Sequence, residues 1–321
     1  MLARGLSRST ISKAGDATLQ RQHATGAGTA ATGARSSRTL QGFVGGIERR
    51  LQNGFLLAFD TLTTGGSPTA TLETRADLNT VSGSFALKNG AGQAVNIALG
   101  DVAPTGRSAF INDGVFFAGS GQILSGGGAV AGGYGLITSS ELQHQGLLPA
   151  GVSFCACDYV TWGFLFGDRQ SAPGSPERRE TALASWVAGP LASTSQLVGI
   201  APQVATYSGH LTGGVVRSKD VYQAVGALNL SVRFGAGGFA VESAQISNFD
   251  GANLVGGSAQ TFGANGYGVD LAGAHPAAGA VTARLNGAFY GPGAPPANTA
   301  GDFSMTGLNY RSAGTFAAAR P

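Results

Sequence analysis

The stretch YQAVGALNLSVRF, residues 222–234, decides the fold because its residues alternate in character along the chain. The bulky members of one parity are Tyr222, Leu228, Leu230, Val232 and Phe234. The polar members of the other parity are Gln223, Asn229, Ser231 and Arg233. A period of two is typical of a β-strand with one buried and one solvated face. The stretch therefore predicts a long strand.

The C-terminal part of the chain contains seven further segments of this kind. They are 204–213, 238–249, 253–261, 266–272, 280–290, 301–305 and 314–318. The loops between them are short and rich in Gly, Asp and Asn, as tight hairpins require. Closing eight strands into a barrel removes exposed edges, and side chains fill a barrel of this size. We therefore expect residues 196–321 to form an eight-stranded antiparallel β-barrel.

A looser antiparallel β domain is expected over residues 39–195. Short apolar runs recur there at intervals of roughly 10–12 residues, the spacing that favours an all-β architecture. Turn signals such as Asn89-Gly90 and Asn112-Asp113-Gly114 separate the runs. The stretch 158–166, which includes Trp162, is expected to be one well-buried strand. The predicted fold class is therefore all-β.

Residues 1–38 are predicted to be a flexible basic leader. Small and polar residues surround its basic side chains, which include Arg4, Arg8, Lys13, Arg21 and Arg35. The stretch lacks the apolar run of about 7–15 residues that marks a secretory signal.

Composition excludes several classes of protein. Glycine accounts for 53 of 321 residues, charged residues for 12%, and the formal net charge is +3. The basic residues are scattered, whereas a nucleic-acid-binding protein groups them on one face. No stretch approaches the roughly 18 uninterrupted apolar residues of a membrane helix. We therefore expect neither a nucleic-acid partner nor a spanning helix.

Several motifs resemble one family. The tail LNGAFYGPGA, residues 285–294, is followed by Gly301-Asp302-Phe303 and Gly314-Thr315-Phe316. These motifs are similar to the C-terminal β-barrel of transferrin-binding protein B and its relatives, and residues 205–213 resemble the first strand of that barrel. The stretch 155–163 looks like an uncharacterised proteobacterial branch of the family.

The resemblance implies a "handle" β domain followed by the barrel. It also implies a surface-associated binding or scaffold protein, placed at the outer membrane or outside a Gram-negative cell. The protein would be peripheral to the membrane and would bind an unknown protein or small ligand. No signal peptide is visible in this stretch, so this location implies an export signal encoded upstream. Pro295-Pro296-Ala297-Asn298 departs from the acidic residue usual there in the family.

Cys155 and Cys157 form a Cys-x-Cys pair. Two thiolates could serve as soft metal ligands, but a structural zinc site usually has a second pair. On a strand, residues two apart have Cα atoms about 6.5–7 Å apart, at the limit for a disulfide. The favoured interpretation is two small, half-buried residues ahead of a strand; a strained or redox-labile pair and a metal site are the alternatives.

The four histidines, His23, His144, His210 and His275, are far apart in the sequence. An alternative function is a haem or metal-ligand carrier in iron acquisition, with His144 or His210 as an axial ligand. The favoured interpretation of each histidine is a solvated or strand-face residue.

No nucleophile with its base, no paired acid and base and no complete metal set is visible in the sequence. We therefore expect no enzyme activity, no catalytic residue and no cofactor. The aromatic residues are expected to fill the two cores. In the first domain they are Phe43, Phe55, Phe59, Phe85, Phe116 and Phe117.

Overall fold

The computed structural model describes residues 38–75, 80–99, 115–118, 123–139, 148, 150–257, 260–262 and 265–321. The predicted leader up to residue 37 and the candidate ligand His144 lie outside these residues. Within them the protein is built almost entirely of antiparallel strands, which confirms the predicted all-β class.

Eleven described strands form the first sheet, which we call the handle sheet. They are β1 (Arg38–Gln52), β2 (Phe55–Thr63), β3 (Ala70–Arg75), β4 (Thr80–Asn89), β5 (Ala94–Leu99), β6 (Val115–Ala118), β7 (Ile123–Ser125), β8 (Gly128–Ala129), β9 (Gly132–Thr138), β10 (Thr161–Gln170) and β11 (Glu177–Gly189).

The handle sheet is organised around β1, which pairs with β11 on one side and with β2 and β3 on the other. The spatial order is β6-β9-β10-β11-β1-β2-β4-β5-β7-β8, and β3 also pairs with β4. The sheet curls over its own core, so that Trp186 of β11 and Phe85 of β4 belong to one buried cluster.

The second sheet is the predicted barrel. Its strands are β12 (Gln203–Arg217), β13 (Asp220–Gly235), β14 (Gly238–Phe249), β15 (Ala252–Gly256), β16 (Gln260–Phe262), β17 (Gly266–His275), β18 (Gly279–Tyr290), β19 (Asn298–Gly307) and β20 (Tyr310–Ala319). The segment expected as one strand over 253–261 occurs as β15 and β16, which pair with successive parts of β17. The β15–β17 pairing closes the barrel at eight strands, as predicted.

Side chains fill the barrel interior. Leu228, Leu230 and Val232 of β13 point inward and are buried, as the alternation along this strand predicted. Phe289 of β18 contacts Phe239 at a centroid distance of 4.8 Å inside the barrel. The side chains that point into the barrel are thus the apolar ones.

A short helix, α1 (Thr194–Val198), lies between the two sheets in the sequence. Ser193 caps it by accepting a hydrogen bond from the Gln196 backbone N–H at 3.2 Å. Leu197 of α1 and the following Ile200 are buried in the barrel core. The connection therefore contributes apolar side chains to the barrel.

Candidate functional site

The handle sheet packs against the outside of the barrel, and we call this contact the joint. An apolar cluster fills the joint. The barrel contributes Ala288, Tyr290, Ala300 and Ala317. The handle side contributes Phe43, Val160, Trp162, Phe164 and Val187. Because the handle covers the outer face of β18, β19 and β20 here, those strands are buried on both faces. Small residues in these strands allow the close approach.

A buried serine connects the two sheets at the joint. Ser185 Oγ of β11 donates to the Thr212 carbonyl at 2.9 Å. It accepts from the Thr315 backbone N–H at 2.8 Å, so it bridges β12 and β20. These bonds fix the register of the handle sheet against the barrel wall.

His210 of β12 lies at the edge of the joint, where only 1% of the residue is exposed. Its ring lies 4.6 Å from the Trp162 ring and 4.9 Å from the Phe154 ring, centroid to centroid. Nδ1 accepts a hydrogen bond from the Cys155 backbone N–H at 3.0 Å. Burial lowers the pKa of His210 to about 3, so the ring is neutral with its proton on Nε2. Its role as an axial ligand stays a prediction.

Cys155 and Cys157 are joined by a disulfide. Their Cα atoms are 5.2 Å apart, within the range for a disulfide and well below the 6.5–7 Å expected for a strand. The strand spacing does not apply here, because residues 153–157 are not a strand and precede β10. The pair is therefore linked rather than presented as two free thiols.

A polar cluster at one end of the barrel was not predicted from the sequence. His275 Nε2 lies 3.1 Å from Asp250 Oδ2, which also accepts from the Tyr222 hydroxyl at 2.7 Å. His275 Nδ1 accepts from the backbone N–H groups of Ala277 and Ala278, each at 3.0 Å. Both ring nitrogens are occupied, so His275 is not poised as a general base. The cluster holds neighbouring hairpins together.

A second unpredicted cluster is ionic and lies inside the handle sheet. Glu48 Oε2 is 3.1 Å from Arg169 and 3.6 Å from Arg179, and Arg179 reaches Asp60 at 2.9 Å. Thr181 Oγ1 donates to Glu48 at 3.2 Å. Burial raises the pKa of Glu48 despite the two guanidinium groups that oppose the shift. The cluster ties β1, β2, β10 and β11 together.

An exposed apolar stretch of the handle sheet lies just after the β1–β2 turn. Asn53 and Gly54 form this turn with φ angles of 51° and 82°. The three residues that follow are Phe55, Leu56 and Leu57, with exposures of 77%, 48% and 48%; we call them the apolar tip. Phe55 was predicted to fill a core, and that prediction was wrong because β2 pairs with β4 only at Leu62 and Thr63, so no described strand lies beside the start of β2 on that side.

The apolar tip points toward the end of the barrel that carries the β12–β13 and β19–β20 hairpins. Phe59, farther along β2, packs with Val216 and Val221 of β12 and β13. Phe55 lies four residues before Phe59, or about 13 Å along a strand. Leu308, in the β19–β20 turn, is 77% exposed. The same end of the molecule therefore exposes apolar side chains from both sheets.

Ion pairs surround the base of the apolar tip. Arg49 lies 2.7 Å from Glu180, and Arg50 lies 2.8 Å from Glu177. Arg178 pairs with Asp168 on the neighbouring strands. The hydrogen bond from Arg50 lowers the pKa of Glu177, so this acid stays ionised. The three arginines are thus matched by three carboxylates.

The described part of the chain contains no group of three or more His, Cys, Asp or Glu side chains arranged to hold a metal ion. Among the described helices, none has the length and apolar character needed to cross a membrane.

The protein was compared with known families, proteins and structures. No family model matches the sequence, and no curated protein matches it. Among solved structures, intact Ap-TbpB, with its N and C lobes, is similar at 12% identity and a TM-score of 0.36; the match covers 88% of this chain and 77% of that one. Transferrin binding protein B from Neisseria meningitidis gives 13% identity and a TM-score of 0.34, covering 89% and 77%.

HpuA from Kingella denitrificans, solved in complex with human haemoglobin, is also similar in structure. The match has 13% identity and a TM-score of 0.32 and covers 91% of this chain and 89% of that one. Transferrin binding protein B, which the sequence motifs had indicated, is thus among the solved structures to which this fold is similar. The fold consists of the handle sheet packed against an eight-stranded barrel whose interior is filled by side chains.

Proposed function

We propose that this protein is a non-enzymatic binding module that captures a protein partner on the apolar tip. The observation that carries the proposal is the exposure of three consecutive bulky residues, Phe55, Leu56 and Leu57. Contiguous exposed apolar surface is a feature of interaction sites, and aromatic side chains dominate the energy of many interfaces. A projecting tip of this kind fits a concave apolar pocket.

The charges beside the tip favour a protein partner over an anionic surface. Arg49, Arg50 and Arg178 are each paired with a carboxylate, so the base of the tip is close to neutral. Nucleic acids and acidic lipids are bound through unpaired positive charge. An apolar tip with a balanced polar rim has instead the composition of a protein–protein interface.

The proposed setting is the surface of a Gram-negative cell, with the protein peripheral to the outer membrane. Support for this setting comes from the barrel motifs at 285–294, 301–303 and 314–316, whose resemblance to transferrin-binding protein B implies surface display. The chemistry of the described residues supports binding rather than catalysis, because both nitrogens of His275 are occupied and His210 is buried and neutral.

Photocrosslinking tests the proposal. Phe55 is replaced by a photoreactive phenylalanine analogue in cells that make the full chain, and the same replacement at Val255 serves as a control. Val255 lies on β15 of the barrel with 64% exposure, so it matches the exposure of Phe55 without belonging to the tip. We expect one protein to crosslink at position 55 and not at position 255. Crosslinks to lipid, or to a second copy of the chain, would contradict the proposal.

The partner identified by crosslinking is then purified, and its affinity for the protein measures the contribution of the tip. We expect Phe55→Ser/Leu57→Ser to weaken the affinity at least tenfold, about 1.4 kcal/mol. The control Val255→Ser should bind like the parent. Equal binding by all three proteins would rule out the tip as the contact.

A further inference from the structure

The Cys155–Cys157 disulfide lies in a segment that is fixed to the joint on both sides of the bond. Before the disulfide, Phe154 stacks on Trp162 with ring centroids 5.0 Å apart. After it, Tyr159 donates through its backbone N–H to Asn298 Oδ1 of the barrel at 2.9 Å. The Cys155 N–H itself is bonded to His210. Noncovalent contacts therefore connect this segment to the joint on both sides of the disulfide.

The disulfide contributes little to the stability of the folded chain. It links cysteines separated by two positions, so it closes a very short loop. In the chain-entropy model the stabilisation from a disulfide grows with the logarithm of the loop length, and short loops gain least. Stabilising disulfides usually join distant parts of a chain, which this one does not. Stability alone therefore gives little reason for the bond.

The position of the disulfide leaves it open to exchange chemistry. Cys155 and Cys157 are partly exposed, and Ala156 between them is exposed. A thiolate must reach one of the two sulfurs for exchange to begin. His210 is neutral at physiological pH, so it supplies none of the positive charge that makes a cysteine a strong nucleophile. The pair is thus suited to being reduced and re-formed by other molecules rather than to catalysing exchange itself.

We propose that Cys155 and Cys157 form a reversible thiol-exchange site at the joint, reduced by an external dithiol and re-formed by an external disulfide. One thiolate of the dithiol attacks one protein sulfur, the S–S bond breaks, and the other cysteine leaves as a thiolate that takes up a proton. The second thiolate of the dithiol then attacks the mixed disulfide and releases the first cysteine. Two electrons and two protons pass to the protein, and the dithiol becomes a cyclic disulfide.

Reduction is coupled to the joint through the backbone of the segment. The disulfide holds the two Cα atoms 5.2 Å apart, whereas extended residues two apart are separated by about 6.7 Å. Relaxation toward the longer spacing moves the Cys155 N–H relative to His210 and moves Phe154 relative to Trp162. The fluorescence of Trp162 therefore reports the redox state of the pair.

Thiol labelling of the folded full chain tests the proposal. The oxidised protein is treated with dithiothreitol without denaturant, alkylated with iodoacetamide and weighed by mass spectrometry. We expect two alkyl groups per chain, an unchanged far-ultraviolet circular dichroism spectrum and a change in tryptophan emission. Oxidised glutathione, added before alkylation, should restore the unlabelled mass and the original emission. Labelling only in denaturant would overturn the proposal.

Matched variants separate exchange from other effects of the reagents. Cys155→Ser/Cys157→Ser should fold and show no emission change with dithiothreitol. Trp186→Phe removes the other tryptophan and should keep the change, which assigns it to Trp162. Trp186 is buried, so its replacement can prevent folding. Amide hydrogen exchange of the 150–160 peptide in the parent protein therefore provides a second measurement. Equal protection of that peptide in the oxidised and reduced protein would contradict coupling to the joint.

Discussion

Thr64, the residue that follows β2 of the handle sheet, donates a hydrogen bond from Oγ1 to Oδ2 of Asp302 in the barrel, at 2.8 Å. Asn286 donates to the other carboxylate oxygen at 2.8 Å, and the Gly66 backbone N–H donates as well. The carboxylate is nevertheless almost fully buried, and burial raises its pKa to about 6. One ionisable group at the joint thus titrates close to neutral pH.

Asp302 should make the stability of the protein depend on pH. Its folded-state pKa of about 6 lies above the ordinary value of 3.8, so the folded state binds the proton more tightly. The stabilising contribution is complete below pH 3.8 and is lost as the pH rises through about 6. Between pH 7.5 and pH 5 we expect Asp302 to add about 1.4 kcal/mol to the free energy of unfolding.

Urea unfolding of the parent and Asp302→Asn at both pH values measures this contribution. The difference between the two proteins should change by that amount, because other titrating groups affect both equally. A difference that is the same at pH 5 and pH 7.5 would show that the carboxylate keeps an ordinary pKa.

Gly45 should tolerate no side chain. A Cβ placed on this residue of β1 would overlap the backbone carbonyl of Gly314 in β20, across the joint. We expect Gly45→Ala to lower the free energy of unfolding by about 1–3 kcal/mol, since overpacking forces backbone shifts. Gly235→Ala is the control, because a Cβ there makes only ordinary contact with Pro202. Thermal unfolding should separate the variants; equal midpoints would refute the close contact.

The ionic cluster of the handle sheet should be far more sensitive to substitution than the surface pairs. Arg169→Met removes a fully buried guanidinium and leaves Arg179, at 3.6 Å, as the one described ion-pair partner of Glu48. Breaking one partner of a buried pair typically costs about 3–5 kcal/mol. Arg178→Met breaks a half-exposed pair with Asp168 and should cost about 0–1 kcal/mol. Similar denaturation midpoints for the two variants would contradict this difference.

His210 should remain neutral throughout the physiological pH range. Its pKa of about 3 reflects burial beside Trp162 and Phe154. Nitrogen NMR of the imidazole should show an unprotonated Nδ1, a protonated Nε2 and constant shifts between pH 5 and pH 8. Titration of this ring near pH 6.5 would mean that the joint admits water.

Local alternation made the barrel predictable. Residues 222–234 alternate between bulky and polar side chains, which predicted a strand with one buried face. In the structure, the buried face is the one that carries Leu228, Leu230 and Val232. Tight turns rich in Gly, Asn and Asp then fixed the number of strands. The C-terminal motif at 285–294 falls on β18 and the loop after it, where Tyr290 is packed into the joint.

Contacts between distant segments were not predictable in this way. Asp250 and His275 meet because two hairpins are neighbours at one end of the barrel, which no spacing in the sequence shows. Phe55 is an aromatic residue of the kind that fills cores, and its exposure depends on how short the pairing between β2 and β4 is. The Cys155–Cys157 disulfide depends on the conformation of an irregular segment, and the spacing of two residues along a strand does not describe that conformation.

The joint also sets an order of events during synthesis. β1, the first described strand, packs against β20, the last, and the barrel itself is completed by pairing β12 with β20. A ribosome releases the chain from its N-terminus, so β1 and β12 must wait for Tyr310–Ala319 before either contact can form. Such distant pairings also slow folding. The barrel therefore cannot close until Tyr310–Ala319 has been synthesised, and a chain stopped before Tyr310 lacks both the closing strand and the surface that receives the handle sheet.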